Sequence, residues 1–272
     1  MSYGRLEASL RGARDAGRKL LVPYVTGGLR EDWTDAVVAM ALAGADAIEV
    51  GVPFSDPVMD GPTIQEASAR ALERGATPTS VLAELAAVDA GVPLVAMTYY
   101  NLVFRAGHRR FASELARAGV SGAIIPDLPL EESGGWEADA AHGGIETVLL
   151  AAPVTPDDRL ALITSRSRGF VYAVGLMGVT GERDSVAASA GRLARRVKQV
   201  TDRPVLIGFG ISTPAHAVTA SGSADGVVVA SALMRRFLDG AAPDDLGAQV
   251  AEMRAALDEM EDVAPTVEDG AR

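Results

Sequence analysis

Residues 47–65 read Ala47-Ile48-Glu49-Val50-Gly51-Val52-Pro53-Phe54-Ser55-Asp56-Pro57-Val58-Met59-Asp60-Gly61-Pro62-Thr63-Ile64-Gln65. The first six residues have the composition of a short buried strand, the middle is a turn rich in proline, serine and aspartate, and Pro62 suits the first turn of a helix. The segment is therefore a strand, a loop and the start of a helix. It also places Glu49 where the alternation of Ile48, Val50 and Val52 calls for apolar neighbours, and folding does not require that acid. The turn delivers a second carboxylate, Asp60, near the same strand end. Two acids in different environments are raw material for general acid/base chemistry. On the purely structural alternative, Glu49 pairs with a basic residue, and Asp60 is a turn residue or caps the helix beginning at Pro62.

The same unit recurs along the chain. Candidate strands lie at 20–26, 47–52, 93–99, 122–127, 147–152, 170–175, 204–210 and 226–231. Between most of them run segments of helical period: 31–42, 62–74, 78–89, 109–117, 156–165, 186–200 and 214–220. Eight βα units in roughly 250 residues predict an α/β fold, a single-domain (β/α)8 TIM barrel. Residues 5–16 predict an extra N-terminal helix that plugs the barrel floor, and 244–260 a closing helix. No linker or composition shift divides the chain, so residues 1–262 are expected to form one catalytic domain, followed by a frayed acidic tail at 263–272.

Composition narrows the function. The 272 residues are 48% hydrophobic and 22% charged, ordinary for a globular domain. With 36 acidic residues against 25 basic, the net charge of -11 disfavours nucleic acid and anionic membranes as partners. Absence of cysteine removes disulfides and thiolate metal sites. The N-terminal stretch lacks an apolar secretory core and no apolar run reaches membrane-spanning length, so the expected location is the cytoplasm. Lys19 and Lys198 lie outside the expected barrel interior, where neither could form a Schiff base. His108, His142 and His216 fall on helical or turn segments and read as surface residues, so no metal is expected. Chemistry is left to acids and tyrosines.

In such barrels the reactive groups gather at the carboxyl ends of the strands. Asp60, Tyr99-Tyr100-Asn101 and Asp127 fall there. Gly178-Val179-Thr180-Gly181, Gly208-Phe209-Gly210-Ile211-Ser212 and Ala230-Ser231 follow strands six, seven and eight, where glycine backbone and a helix N-terminus make a candidate phosphate cradle.

These segments, together with Pro23-Tyr24-Val25-Thr26, Met97-Thr98-Tyr99-Tyr100-Asn101 and Pro126-Asp127-Leu128-Pro129, resemble the tryptophan synthase α subunit family across about residues 5–260, most specifically from Glu49 through Asp60 to Gln65. The resemblance implies a TIM-barrel lyase that cleaves indole-3-glycerol phosphate to indole and glyceraldehyde 3-phosphate in tryptophan biosynthesis. It implies no cofactor of its own. It also implies an α2β2 complex with a β subunit, a pyridoxal-phosphate enzyme that receives indole through a tunnel and owns that cofactor. By the same resemblance, Glu49 protonates indole C3 and assists deprotonation of the glycerol hydroxyl, Asp60 holds the ring N–H, and Tyr172 positions Glu49 or the glycerol chain. Tyr24, Ile64, Met97, Tyr99, Ile124 and Phe209 line the indole pocket. Thr180 belongs to a closing loop, and Gly181, Gly210, Ala230 and Ser231 hold the phosphate. The chain departs from the family pattern at Ala230, where glycine is usual, at Gly175-Leu176-Met177, and at Gly27-Gly28-Leu29-Arg30. A stand-alone indole-releasing lyase and a catalytically weak allosteric subunit remain as other readings.

Overall fold

A computed structural model describes residues 3–175, 183–208 and 210–260. From the amino end the elements are α1 (Arg5–Asp15), β1 (Leu20–Thr26), α2 (Trp33–Leu42), β2 (Ile48–Gly51), α3 (Pro62–Glu73), α4 (Pro78–Leu85), β3 (Leu94–Met97), α5 (Tyr100–Ala106), α6 (His108–Arg117) and β4 (Val120–Ile124). There follow α7 (Gly134–His142), β5 (Glu146–Ala151), α8 (Asp157–Arg166), β6 (Val171–Ala173), α9 (Arg183–Lys198), β7 (Val205–Ile207), α10 (Pro214–Ser221), β8 (Gly226–Val229), α11 (Ser231–Leu238) and α12 (Pro243–Asp258). The eight strands pair in chain order, all parallel, and β1 closes on β8. This is the TIM barrel that the recurring βα units predict. The expected domain boundary at 262 and the acidic tail lie outside the described residues.

The strand pattern explains the two layers. Alternate residues point inward, so Leu20, Val22, Val95, Ile124, Val148, Phe170, Leu206 and Val228 fill the barrel, while Leu21, Val25, Ile48 and Val50 pack under the helices. The inward position of β2 between Ile48 and Val50 is Glu49.

The floor is closed by α1, as residues 5–16 predict. Leu6 and Leu10 join the interior cluster. Leu6 fits because β4 and the residue preceding Phe170 carry glycine there: a Cβ on Gly122 or Gly169 would lie 2.6 Å from the Leu6 side chain. Two buried acids anchor this plug. Glu146 accepts the Leu6 N–H at 2.6 Å and the Glu7 N–H at 3.1 Å. Glu7 in turn accepts from Arg11 Nε at 2.9 Å and from the Gly169 N–H at 3.2 Å, with Arg203 Nε 3.6 Å away.

Two helices were not expected from the sequence. The helix α5 begins directly after the third strand, its first N–H received by Asp127 Oδ1 at 2.8 Å from the β4–α7 loop. The helix α7 opens on Gly134-Gly135, poor helix formers, and is held by buried Trp136, which packs on Phe111 and His108. His108 is therefore half-buried and shares a 3.0 Å hydrogen bond with the Tyr100 hydroxyl, unlike the surface position expected of it.

Candidate active site

The inward turn of β2 puts Glu49 at the carboxyl half of the barrel with 1% of its surface exposed. Among the described residues no basic side chain pairs with it, and its Oε2 is buried without a hydrogen-bond partner. The ion pair that a structural role would need is absent among the described residues. Burial, with a smaller contribution from the charge of Asp60, pushes the Glu49 carboxyl up to about 8. At neutral pH it is predominantly protonated and holds a transferable proton.

Asp60 arrives from the loop after β2. Its backbone N–H donates to Pro57 O at 3.2 Å, and its carbonyl accepts from Gln65 Nε2 at 2.9 Å, so the turn is fixed at both sides. The residue that precedes helix α3 is Gly61, and no side chain caps that helix, which leaves the Asp60 carboxylate free of the capping role. Burial raises Asp60 to about 6, opposed by the Tyr99 hydroxyl, which favours the charged form. The two acids thus divide by environment: near neutrality Glu49 is mostly an acid and Asp60 mostly an anion.

Tyrosines frame them. Tyr24, on β1 directly beside Glu49 in the ladder, folds over Gly51, where a Cβ would lie 1.8 Å from its hydroxyl oxygen. That oxygen accepts from Thr26 Oγ1 at 3.2 Å. Tyr172, on β6, lies over Gly208 in the same way, a Cβ there falling 2.0 Å from its ring. Both phenols are raised by burial, with the negative charges of Glu49 and Asp60 adding to the shift, so both remain neutral O–H groups. The sequence gives no hint that Gly51 and Gly208 serve the tyrosines; Gly208 reads as part of a phosphate loop and in the fold makes room for a ring. Tyr99 follows β3, buried, its ring stacked on Phe54 at 5.0 Å.

The remaining predicted residues divide by position. Met97 is half-buried at the end of β3, whereas Ile124 is fully buried in the interior layer and Ile64 packs beneath α3 in the cluster between strands and helices. Thr180, Gly181 and Phe209 lie outside the described residues. Gly210 takes φ +67 with open space around its absent Cβ, and Ser231 is the exposed first residue of α11. Ala230 precedes that helix with φ -118, so this position does not call for the left-handed backbone that favours glycine. Among the described residues no group of three His, Asp or Glu could hold a metal ion, and no helix is long and apolar enough to cross a membrane.

This geometry has close relatives. A family model described as tryptophan synthase alpha chain matches residues 10–265. A Streptomyces coelicolor protein named tryptophan synthase alpha chain is 46% identical over 249 residues, 88% of this chain and 89% of that one. One from Thermobifida fusca, of the same name, is 45% identical over 258 residues, 93% of this chain and 96% of that one. Among solved structures, a chain of Mycobacterium tuberculosis tryptophan synthase superposes with TM-score 0.86 at 39% identity, covering 94% of this chain and 99% of that one. The alpha chain from Legionella pneumophila gives TM-score 0.85 at 30% identity, covering 95% and 99%. By sequence along nearly its whole length and by the course of its barrel, the chain belongs to the tryptophan synthase alpha chain family.

Proposed function

We propose that this alpha chain cleaves indole-3-glycerol phosphate to indole and glyceraldehyde 3-phosphate, the reaction of its family, through Glu49 and Asp60. The observation that carries the assignment is the Glu49 carboxyl, buried, unpaired and protonated near neutrality at the carboxyl end of the barrel. Glu49 gives its proton to ring C3, which turns the indole into a cationic electron sink. The resulting carboxylate takes the proton of the side-chain hydroxyl on the carbon attached to C3. As that O–H bond breaks, the carbon–carbon bond gives its electrons to the ring, the oxygen becomes the aldehyde oxygen, and Glu49 is again protonated. The cycle balances without an external acid or base.

Asp60 receives the ring N–H and faces the positive charge that develops on it, an interaction stronger in the transition state than in the bound substrate. Tyr172 positions Glu49 or the glycerol chain from the opposite wall. Tyr24, Ile64, Met97, Tyr99, Ile124 and Phe209 are assigned to the indole pocket, Ile64 and Ile124 from behind it. Gly181, Gly210, Ala230 and Ser231 would supply N–H groups, and Ser231 its hydroxyl, to the phosphate, with the N-terminus of α11 adding partial positive charge. Thr180 is assigned to closure over the substrate.

The family's subunits assemble with a β subunit as α2β2. On this chain the exposed apolar residues Val58 and Met59 after β2, Phe104 after β3 and Val154 after β5 fall on carboxyl-end segments, which supports docking of the partner over the mouth. A cytoplasmic location fits a biosynthetic lyase. Steady-state indole formation by the purified chain, with and without saturating β subunit, tests both activity and partnership. A docked partner that orders the Asp60 loop accelerates the chain tenfold or more, equivalent to about 1.4 kcal/mol. A fast isolated enzyme unaffected by a bound β subunit would instead make it a stand-alone lyase.

A further inference from the structure

The loop that carries Asp60 is fastened to the barrel by one side chain whose polar atom the sequence does not single out. Tyr99 stands immediately after β3, and its backbone is set by the start of α5, where the next N–H is held by Asp127. From that fixed base its ring stacks on Phe54, at the beginning of the loop, and its hydroxyl accepts the Met59 N–H at 3.0 Å, at the loop's end. A tyrosine hydroxyl that accepts one hydrogen bond still has its own proton to donate. The Asp60 carboxylate, on the residue next to Met59, is the group it interacts with.

We infer that Tyr99 is a positioning residue for the lyase reaction: its hydroxyl links the Met59 backbone to the Asp60 carboxylate and so keeps that carboxylate aimed into the mouth in its charged form. This rests on the reading of Asp60 as the group facing the indole N–H, and deepens it. The titratable groups that face Asp60 come from three strands and one loop. They are Glu49 on β2, Tyr24 on β1, Tyr172 on β6 and Tyr99 itself, and Asp127 acts on Tyr99 from beyond. All are acids, so no described residue offers the negative charge of Asp60 an ion pair, and hydrogen-bond donation stabilises it. Tyr99 supplies that donation. Its stack on Phe54 survives loss of the hydroxyl, which separates the polar role from the packing role.

The experiment compares wild type with Tyr99→Phe. The Asp60 carboxyl is followed by carbon-13 NMR of selectively aspartate-labelled full-length chain, with Asp60→Asn used to assign the resonance. In wild type it titrates near the raised value of about 6. In Tyr99→Phe the midpoint moves up by about one unit, because a hydrogen bond to a charged group is worth about a tenfold shift in equilibrium. The acid limb of kcat for indole formation moves with it, and kcat at pH 6 falls more than at pH 8 while KM changes little. An unchanged Asp60 midpoint in a folded Tyr99→Phe chain overturns the inference. The underlying reading fails separately: if Asp60→Asn itself retains wild-type turnover, Asp60 does not face the reacting ring.

Discussion

The barrel buries acids at both ends and treats them in opposite ways. At the floor, Glu146 and Glu7 are each supplied with donors: two N–H groups of α1 for Glu146, and Arg11 with the Gly169 N–H for Glu7. At the mouth, Glu49 is as deeply buried and its Oε2 has no donor. Desolvation raises both Glu49 and Glu146, but backbone N–H groups pull Glu146 back, while the negative charge of Asp60 pushes Glu49 further up. A carboxyl supplied with donors is a structural anchor, because each of its oxygens already accepts a hydrogen bond. A carboxyl buried without them costs stability, and its proton remains available for transfer.

The largest effect that could break this contrast is on turnover. Glu49→Gln keeps the shape and removes the transferable proton; the expected loss in indole formation is about 10²–10⁴-fold, with a native circular dichroism spectrum. Retention of half the wild-type rate would remove Glu49 from the chemistry. Glu146→Ala should do the reverse. It leaves two N–H groups of α1 unpaired, so urea unfolding should show a loss of about 2–4 kcal/mol, while kcat for the surviving folded fraction stays within about twofold of wild type. A large fall in kcat without a fall in stability would mean that the floor takes part in catalysis.

A third test uses pH. The folded chain holds the Glu49 proton up to about 8, against an ordinary value of 4.5. Between those values the folded state binds more protons at this site than the unfolded state, so the Glu49 contribution to stability is highest at low pH and is lost as pH rises. Between pH 6 and 8 the stability of wild type relative to Glu49→Gln should fall by about 2 kcal/mol, measured by chemical denaturation. A difference independent of pH would place the Glu49 carboxyl in its ordinary range and erase the contrast with Glu146.

How much of this was legible in the sequence follows from where the information sits. Glu49 stood out because it interrupts an apolar alternation, and the alternation itself put it inside the barrel. The βα order and the α1 plug followed from periodicity. The helices α5 and α7 did not, because α5 borrows its cap from Asp127 on another loop and α7 begins on two glycines and depends on the burial of Trp136. The seats of Tyr24 and Tyr172 on Gly51 and Gly208, and the link from Tyr99 to Met59, join residues from different strands, and a local pattern carries no trace of them. The expected strand ends lie two or three residues beyond the observed ones at β3, β4, β6, β7 and β8, where the chain leaves the ladder to enter the loops of the mouth.

The smallest expected effect is at the phosphate end of the mouth. Ala230→Gly removes a methyl group from the proposed phosphate cradle and adds backbone freedom, two small effects of opposite sign, so affinity for glycerol phosphate should be equal or slightly improved, changing by less than about 1 kcal/mol by calorimetry. A clearly weaker glycine variant would show that the alanine methyl is an adapted contact.

The central claim is that Glu49 is protonated at neutral pH because it is buried without a donor. Infrared difference spectroscopy of wild type minus Glu49→Gln, titrated across the neutral range, reads this directly. The account predicts a protonated carboxyl carbonyl band present at pH 7 and lost with a midpoint near 8. A band already absent at pH 7, lost near the ordinary carboxyl value of 4.5, would contradict it.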